Sequence, residues 1–149
     1  MTILNLGCGN KLIKGAINHD IRRHRKEVKV VWDLNKTPWP WKDNQFDHVH
    51  AVSVFEHLEI NLIATLDECW RILKPGGQLH LKFPLRTSPT IHDDPTHRWF
   101  WSQRVLDFVI SKTRYGKHYP YYTTKKWKLL VRKLDRHKRN CYALLEPIK

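Results

Sequence analysis

A chain of 149 residues, 41% of them hydrophobic, is long enough to bury a core of its own as one domain, 1–149, without staples. No apolar run approaches the roughly 20 residues of a membrane span, no signal peptide precedes the first strand, and Cys8, Cys69 and Cys141 are widely spaced with no metal-type or redox pairing, so a cytoplasmic protein with reduced thiols is expected. The net charge of +13 is uneven: Lys112–Lys149 holds 12 Lys and Arg against Asp135 and Glu146, a basic stretch that suits RNA or another polyanion as readily as it suits a solvated face.

In chain order, Leu4-Asn5-Leu6-Gly7-Cys8-Gly9-Asn10 reads as a buried strand, Ile3–Leu6, entering a turn with two glycines. Glycine lets backbone adopt unusual dihedrals and lets a ligand approach it closely. Such a turn after the first strand of an α/β sheet is where nucleotide-like cofactors bind, although it also occurs with no cofactor. A dinucleotide fingerprint requires a third glycine at the position of Leu12, and the next glycine is Gly15. S-adenosylmethionine makes no such demand: it has no phosphate, and its carboxylate can sit against backbone N–H groups. Cys8, inside the turn, reads as a small packing residue rather than a reactive thiol.

Ala16–Ile21 is a second strand ending at Asp20, and Val28–Leu34 a third ending at Asp33-Leu34. Pro38-Trp39-Pro40-Trp41 is a loop, since two prolines exclude helix and central strand. Phe46–Val54 is a fourth strand, and apolar residues at 58, 62, 63, 66, 69, 70 and 73 predict a helix stopped by Lys74-Pro75-Gly76-Gly77. Gln78–Phe83 alternates as a fifth strand. The crossover from the first strand to the second leaves room for only a turn or two of helix. Residues 85–101 form an ordered loop or lid, Ser102–Ser111 a helix with Ser102 as N-cap, and Trp127–Leu134 with Asn140–Leu145 a closing hairpin. The fold class is α/β: a doubly wound, mostly parallel Rossmann-like sheet with a C-terminal antiparallel hairpin, in which 85–125 is the lid or substrate region.

Asp20 and Asp33 both fall at carboxyl ends of strands, on the edge that carries Gly7–Asn10. Carboxylates there can accept from ribose hydroxyls and from an adenine amino group, and each can equally be a turn residue or helix cap. Here the chain resembles the class I S-adenosylmethionine-dependent methyltransferases, in particular the small group with a type 11 methyltransferase domain. The resemblance runs over about residues 3–100 and rests on LNLGCGN (4–10), GAINHDI (15–21), WDLNKTPWPWKDNQFDHV (32–49), FEHL (55–58), LDECWRILKPGGQLHLKFP (66–84) and DPTHRWF (94–100). It implies S-adenosyl-L-methionine as cofactor. Asn5, Gly7, Cys8, Gly9 and Asn10 would pass its methionine part, Asp20 with Ile21 its ribose, Asp33 with Leu34 its adenine. Phe55, Glu56 and His57 would line the methyl-donor end and the substrate entrance. Family members commonly carry a capping helix before the first strand, whereas this chain starts at the strand, so an open pocket, or a cap from a second copy or a partner subunit, is expected.

Methyl transfer by in-line displacement needs the acceptor held within about 3–3.5 Å of the reacting carbon, and a base only if the acceptor must lose a proton. His57 is the base candidate by position, and a helix-starting role suits it equally well. Glu56 can steady a cation or pair with a local Lys. His92, Asp93, Asp94 and His97 fit a hydrogen-bond network in the lid, and no metal is expected of their spacing. Trp39 and Trp41 suit burial against the sheet as well as stacking on a ring. The acceptor stays open between a small molecule or sugar and, from residues 112–149, RNA. The alternative from another class is a non-catalytic nucleic-acid-binding module that retains the cofactor fold.

Overall fold

Four short segments become parallel strands of one sheet: β1 (Ile3–Leu6), β2 (Ile17–Asp20), β3 (Val28–Val31) and β4 (Phe46–Val52). Helix α1 (Leu62–Ile72) then returns the chain to β5 (Leu73–Pro84), and a short helix α2 (Arg114–His118) precedes β6 (Lys126–Leu134) and β7 (Asn140–Ile148). This computed structural model describes residues 1–149, the side chain of Thr90 excepted. The seven strands form one sheet in the order β3-β2-β1-β4-β5-β7-β6. β1 pairs in parallel with both β2 and β4, whereas β7 pairs antiparallel with both β5 and β6. The strand order therefore reverses between β1 and β4, which opens a crevice at their carboxyl ends. The sheet is the Rossmann-like one expected, but the crossovers 7–16 and 21–27 contain no helix.

Alternation along the strands sorts the two faces. Val49, Ala51, Leu79, Leu81, Phe83, Cys141 and Leu145 are buried in one core cluster with Leu62, Leu66, Cys69 and Ile72 of α1. His48, His50, His80 and Tyr142 fall on the alternate positions and are half-buried or exposed.

Three expectations are corrected. The helix begins at Leu62, not Leu58, because the Asn61 side chain accepts from Ala64 N–H at 2.9 Å and caps it there. It ends at Ile72, since Leu73 already pairs with Phe46; Lys74–Gly77 lies inside β5, where the register shifts and Gly76 takes φ +73°. The Ser102–Ser111 helix shrinks to a single 3-10 turn, Val105–Phe108. Its continuation is drawn into the sheet: Val109 C=O accepts from Trp127 N–H at 3.0 Å, and Ser111 N–H donates to Trp127 C=O at 3.2 Å.

Trp39 and Trp41 are core residues, 2% and 6% exposed. The loop that carries them is clamped from α1. Arg71 donates to Trp41 C=O at 2.7 Å, Trp39 C=O at 3.1 Å, Asp43 at 2.9 Å and Glu68 at 2.7 Å, while Glu68 accepts from Trp39 N–H at 2.6 Å. The planar guanidinium fork makes this multiple recognition feasible, which an ammonium could not reproduce.

Candidate cofactor and catalytic site

At the strand tips, a cleft of about 270 Å³ is lined by Gly7, His19, Asp20, Ile21, Trp32–Asn35, Ser53, Val54, His57 and Leu58. It adjoins the small end of the roughly 300–1,000 Å³ range of ligand pockets. The backbone turns sharply around it. Gly7 and Gly9 take φ +52° and +46°, and Ser53, directly after β4, takes +56°. A Cβ at Gly7 would lie 2.6 Å from Val54 Cγ2, whereas one at Gly9 would meet nothing within 4 Å. So glycine 7 is needed both for its dihedral and for the close passage of Val54; glycine 9 leaves backbone open.

Asp20 closes the turn. Its Oδ2 accepts from Gly9 N–H at 2.8 Å and its Oδ1 from Ile21 N–H at 2.8 Å. Oδ2 also accepts from the Cys8 thiol at 3.9 Å, so Oδ1 is the oxygen that keeps a further lone pair for a ligand hydroxyl. Asp33 Oδ1 accepts from Asn35 N–H at 3.0 Å, which leaves Oδ2 without a protein donor among the described residues. The two aspartates share one cleft, as do Gly7, Ile21, Leu34 and His57. Gly9 and Asn10 instead border a neighbouring depression with Arg22, His24 and Arg25, of which Asp20 is the common wall. Asn5 is 4% exposed and its side chain donates to Lys11 C=O and to Asn18, both at 2.8 Å. Cys8 is buried, its thiol 3.9 Å from Asp20; burial, then the Asp20 charge, push it above its ordinary value. Phe55 is in the core.

His19 is a residue whose importance the sequence pattern concealed. It is 1% exposed, accepts at Nδ1 from Gly7 N–H at 3.3 Å, and so carries its proton on Nε2, donated to Trp32 C=O at 3.0 Å. It thereby ties the tip of β1 to the chain after β3. Burial lowers its proton affinity and keeps it neutral. Asn35 does similar work nearby: its side chain accepts from Glu59 N–H at 2.7 Å.

At the far end of the cleft a 3-10 turn, Phe55–His57, meets the strap 91–99. Glu56 C=O accepts from Arg98 N–H at 2.8 Å and Leu58 C=O from the Trp99 indole at 2.7 Å. His57 Nδ1 lies 2.8 Å from the Thr96 hydroxyl, which is 2.6 Å from Asp94. Thr96 has one hydroxyl proton; given to the Asp94 carboxylate, it obliges His57 Nδ1–H to donate and frees His57 Nε2 as an acceptor. The Thr96 hydroxyl and N–H hold the Asp94 carboxyl below its ordinary value, so it stays ionised. Burial, then neighbouring His97, lower the proton affinity of His57, which is neutral near pH 7. Glu56 is 1% exposed, neither carboxyl oxygen has a partner among the described residues, and burial raises it to about 7. Of the polar lid residues, Asp94 and His97 join this network, whereas His92 stacks on Phe100 at 4.9 Å.

Residues 11–81 match the family model described as a methyltransferase domain. Among curated proteins none matches the sequence significantly. In fold the chain is similar to an S-adenosylmethionine-dependent methyltransferase from Archaeoglobus fulgidus, with TM-score 0.67 and 16% identity over 97% of this chain and 85% of that one. It is likewise similar to one from Aquifex aeolicus, with TM-score 0.60 and 15% identity over 99% and 82%. A third neighbour is a Haloferax volcanii methyltransferase in complex with the Trm112 methyltransferase activator, with TM-score 0.66 and 14% identity over 99% and 83%. The glycine turn, 7–9, precedes the matched segment, and the cleft it forms with Asp20 and Asp33 suits a ligand with hydroxyl and amino donors. Residues 11–81 thus carry a methyltransferase-domain match within a fold similar to that of S-adenosylmethionine-dependent methyltransferases, a likeness that implies S-adenosylmethionine as cofactor.

Proposed function

We propose that this protein moves a methyl group from S-adenosylmethionine to a small-molecule acceptor that enters beside His57. The observation that carries the reading is that Gly7, Asp20, Asp33 and His57 line one continuous cleft. Asp20 and Asp33 would accept from ribose hydroxyls and the adenine amino group, and the open backbone at Gly9 lies beside Asp20. The bound cofactor would supply an electrophilic methyl group open to in-line displacement. The protein's own task is then placement and proton transfer. His57 Nε2 is the acceptor for a proton leaving the substrate, Thr96 and ionised Asp94 fix the ring, and the nascent imidazolium is favoured by Asp94 through Thr96.

Two features favour a small acceptor over RNA. Of the basic C-terminal residues, Lys126, Lys128, Arg132 and Lys133 lie on β6, the edge strand opposite β3, and Arg136, Lys138 and Arg139 in the turn that follows it. Part of their charge is answered within the fold: Lys125 pairs with Asp67 at 3.7 Å, Lys128 with Glu146 at 3.6 Å and Arg132 with Asp107 at 2.5 Å. The cleft rim carries Ile21, 64% exposed, so a second copy or a partner subunit over that rim belongs to the same proposal; gel filtration of the purified chain measures it. The test of activity uses methyl-tritiated cofactor with small-molecule and RNA fractions of a cell extract. Label is expected in the small-molecule fraction, and to be lost with Asp33→Ala. Label in RNA, or none in any fraction from protein that binds the cofactor, overturns the acceptor assignment.

A further inference from the structure

Beneath the strap, Glu56, His57 and His97 each bring one donor atom within 4.8 Å of the other two. These are residues of three kinds of environment. Glu56 sits in the core with both oxygens unpartnered, although a buried carboxyl normally finds a donor or a counter-charge. The two imidazoles flank it, with ring centroids 4.7 Å apart. Each is already oriented through Nδ1. His57 Nδ1 is held by Thr96, which is held in turn by Asp94, and His97 Nδ1 donates to Ile91 C=O at 2.7 Å. Metal-binding histidines characteristically donate one ring N–H to a carbonyl or carboxylate system in this way, presenting the other nitrogen to the ion. Among the described residues nothing else uses those second nitrogens, apart from an approach of 3.9 Å between His97 Nε2 and Asp94.

We propose that Glu56, His57 and His97 form a divalent-metal site with a preference for zinc, ligated by a carboxylate oxygen and the two Nε2 atoms. Zinc bonds of about 2.0–2.2 Å would draw the three donors to about 3.4 Å from one another, a shift of about 1 Å each. Three protein ligands leave a fourth position open, and His57 lines the substrate cleft, so that position is accessible to an acceptor oxygen. With the metal bound, activation of that oxygen passes from His57 to the ion. The site stands on its own geometry and does not depend on the methyltransferase reading. Two other clusters are weaker competitors. Around Cys8, Asp20 and His24, the Asp20 oxygens are engaged by Gly9 and Ile21, and His24 Nε2 lies 2.7 Å from Gly9 C=O. In the His48–His50–His80 group, two of the rings already face each other through Nδ1 and Nε2 at 3.2 Å.

The experiment strips the full chain with EDTA, removes the chelator, and titrates zinc alone by calorimetry, with cobalt(II) absorption reporting the ligand type. One equivalent is expected, with a visible cobalt band and no thiolate charge-transfer band. Glu56→Gln, which keeps the shape and removes the charge, should weaken zinc by about tenfold or more, as should His97→Ala; Thr96→Val should weaken it by about tenfold through His57. His80→Ala and Cys8→Ser should bind as the parent does. Thermal unfolding keeps folding separate from ligation: zinc should raise the melting temperature of the parent and leave that of Glu56→Gln unchanged. Absence of binding, thiolate ligation, or zinc affinity unchanged in both Glu56→Gln and His97→Ala overturns the proposal.

Discussion

Replacing Gly7 by alanine isolates the tightest contact of the cofactor turn. The backbone there has φ +52°, and the new Cβ would lie 2.6 and 2.8 Å from the two methyls of Val54. A left-handed alanine costs about 1–2 kcal/mol. Val54 cannot turn aside cheaply, because a β-branched side chain is stiff at χ1 and this one is buried. Overpacking then adds about 1–3 kcal/mol, giving about 2–5 in all. Gly9→Ala, with φ +46° and open space, should cost only the dihedral part, about 1–2 kcal/mol. A double-mutant cycle separates the two terms. In a Val54→Ala background, Gly7→Ala should fall to the cost of Gly9→Ala, a coupling of about 1–3 kcal/mol. Urea unfolding at constant m-value measures all four proteins. An equal cost for Gly7→Ala in both backgrounds refutes the steric argument.

The clamp on the tryptophan loop predicts that Arg71→Ala destabilises by about 2–4 kcal/mol, and that Arg71→Lys recovers less than half of it, because an ammonium cannot span Trp39, Trp41, Asp43 and Glu68; equal stability of the two variants in urea argues against the fork. The three histidines on the half-open face give a pH dependence. Burial, then His50 and His48, lower His80 from 6.5 to about 4. The unfolded chain therefore binds this proton first, so stability is complete above about 6.5 and declines as pH falls toward 4. After allowance for solvent screening the loss attributable to His80 is about 1 kcal/mol. Urea midpoints at pH 5 and 7.5 should show a larger acid loss for the parent than for His80→Gln, and identical losses contradict it.

Local pattern carried most of the sheet. Ile3–Leu6 was legible because three apolar positions run into glycine, and the C-terminal hairpin because alternating runs flank Asp135–Arg139. What the pattern missed depended on distant partners. The Ser102–Ser111 periodicity is genuine, but Trp127 competes for the same backbone groups, a contact no window along the chain contains. Leu73 continues the helical stripe yet pairs with Phe46, so strand begins where a stop signal was still to come. At the site, Asp20 and Asp33 were visible as strand-end acids. His19 was not, since an alternating polar residue in a strand gives no hint that both ring nitrogens will be consumed. The Glu56–His57–His97 grouping was hidden for a related reason: His97 is brought back over Glu56 only by the strap, whose Arg98 and Trp99 N–H groups bond to Glu56 C=O.

If the cofactor lies across the tips of β1, β2 and β3, as proposed, Asp33 gives the cleanest handle on it, because its Oδ2 has no protein donor among the described residues to lose. Calorimetric titration of S-adenosylhomocysteine into the parent and into Asp33→Ala measures this directly. One equivalent bound by the parent, weakened about tenfold in a variant that melts within about 2 °C of it, is the expected result, matching the loss of one or two hydrogen bonds to a charged acceptor. Equal affinity in both proteins, or no binding by the folded parent, would contradict it.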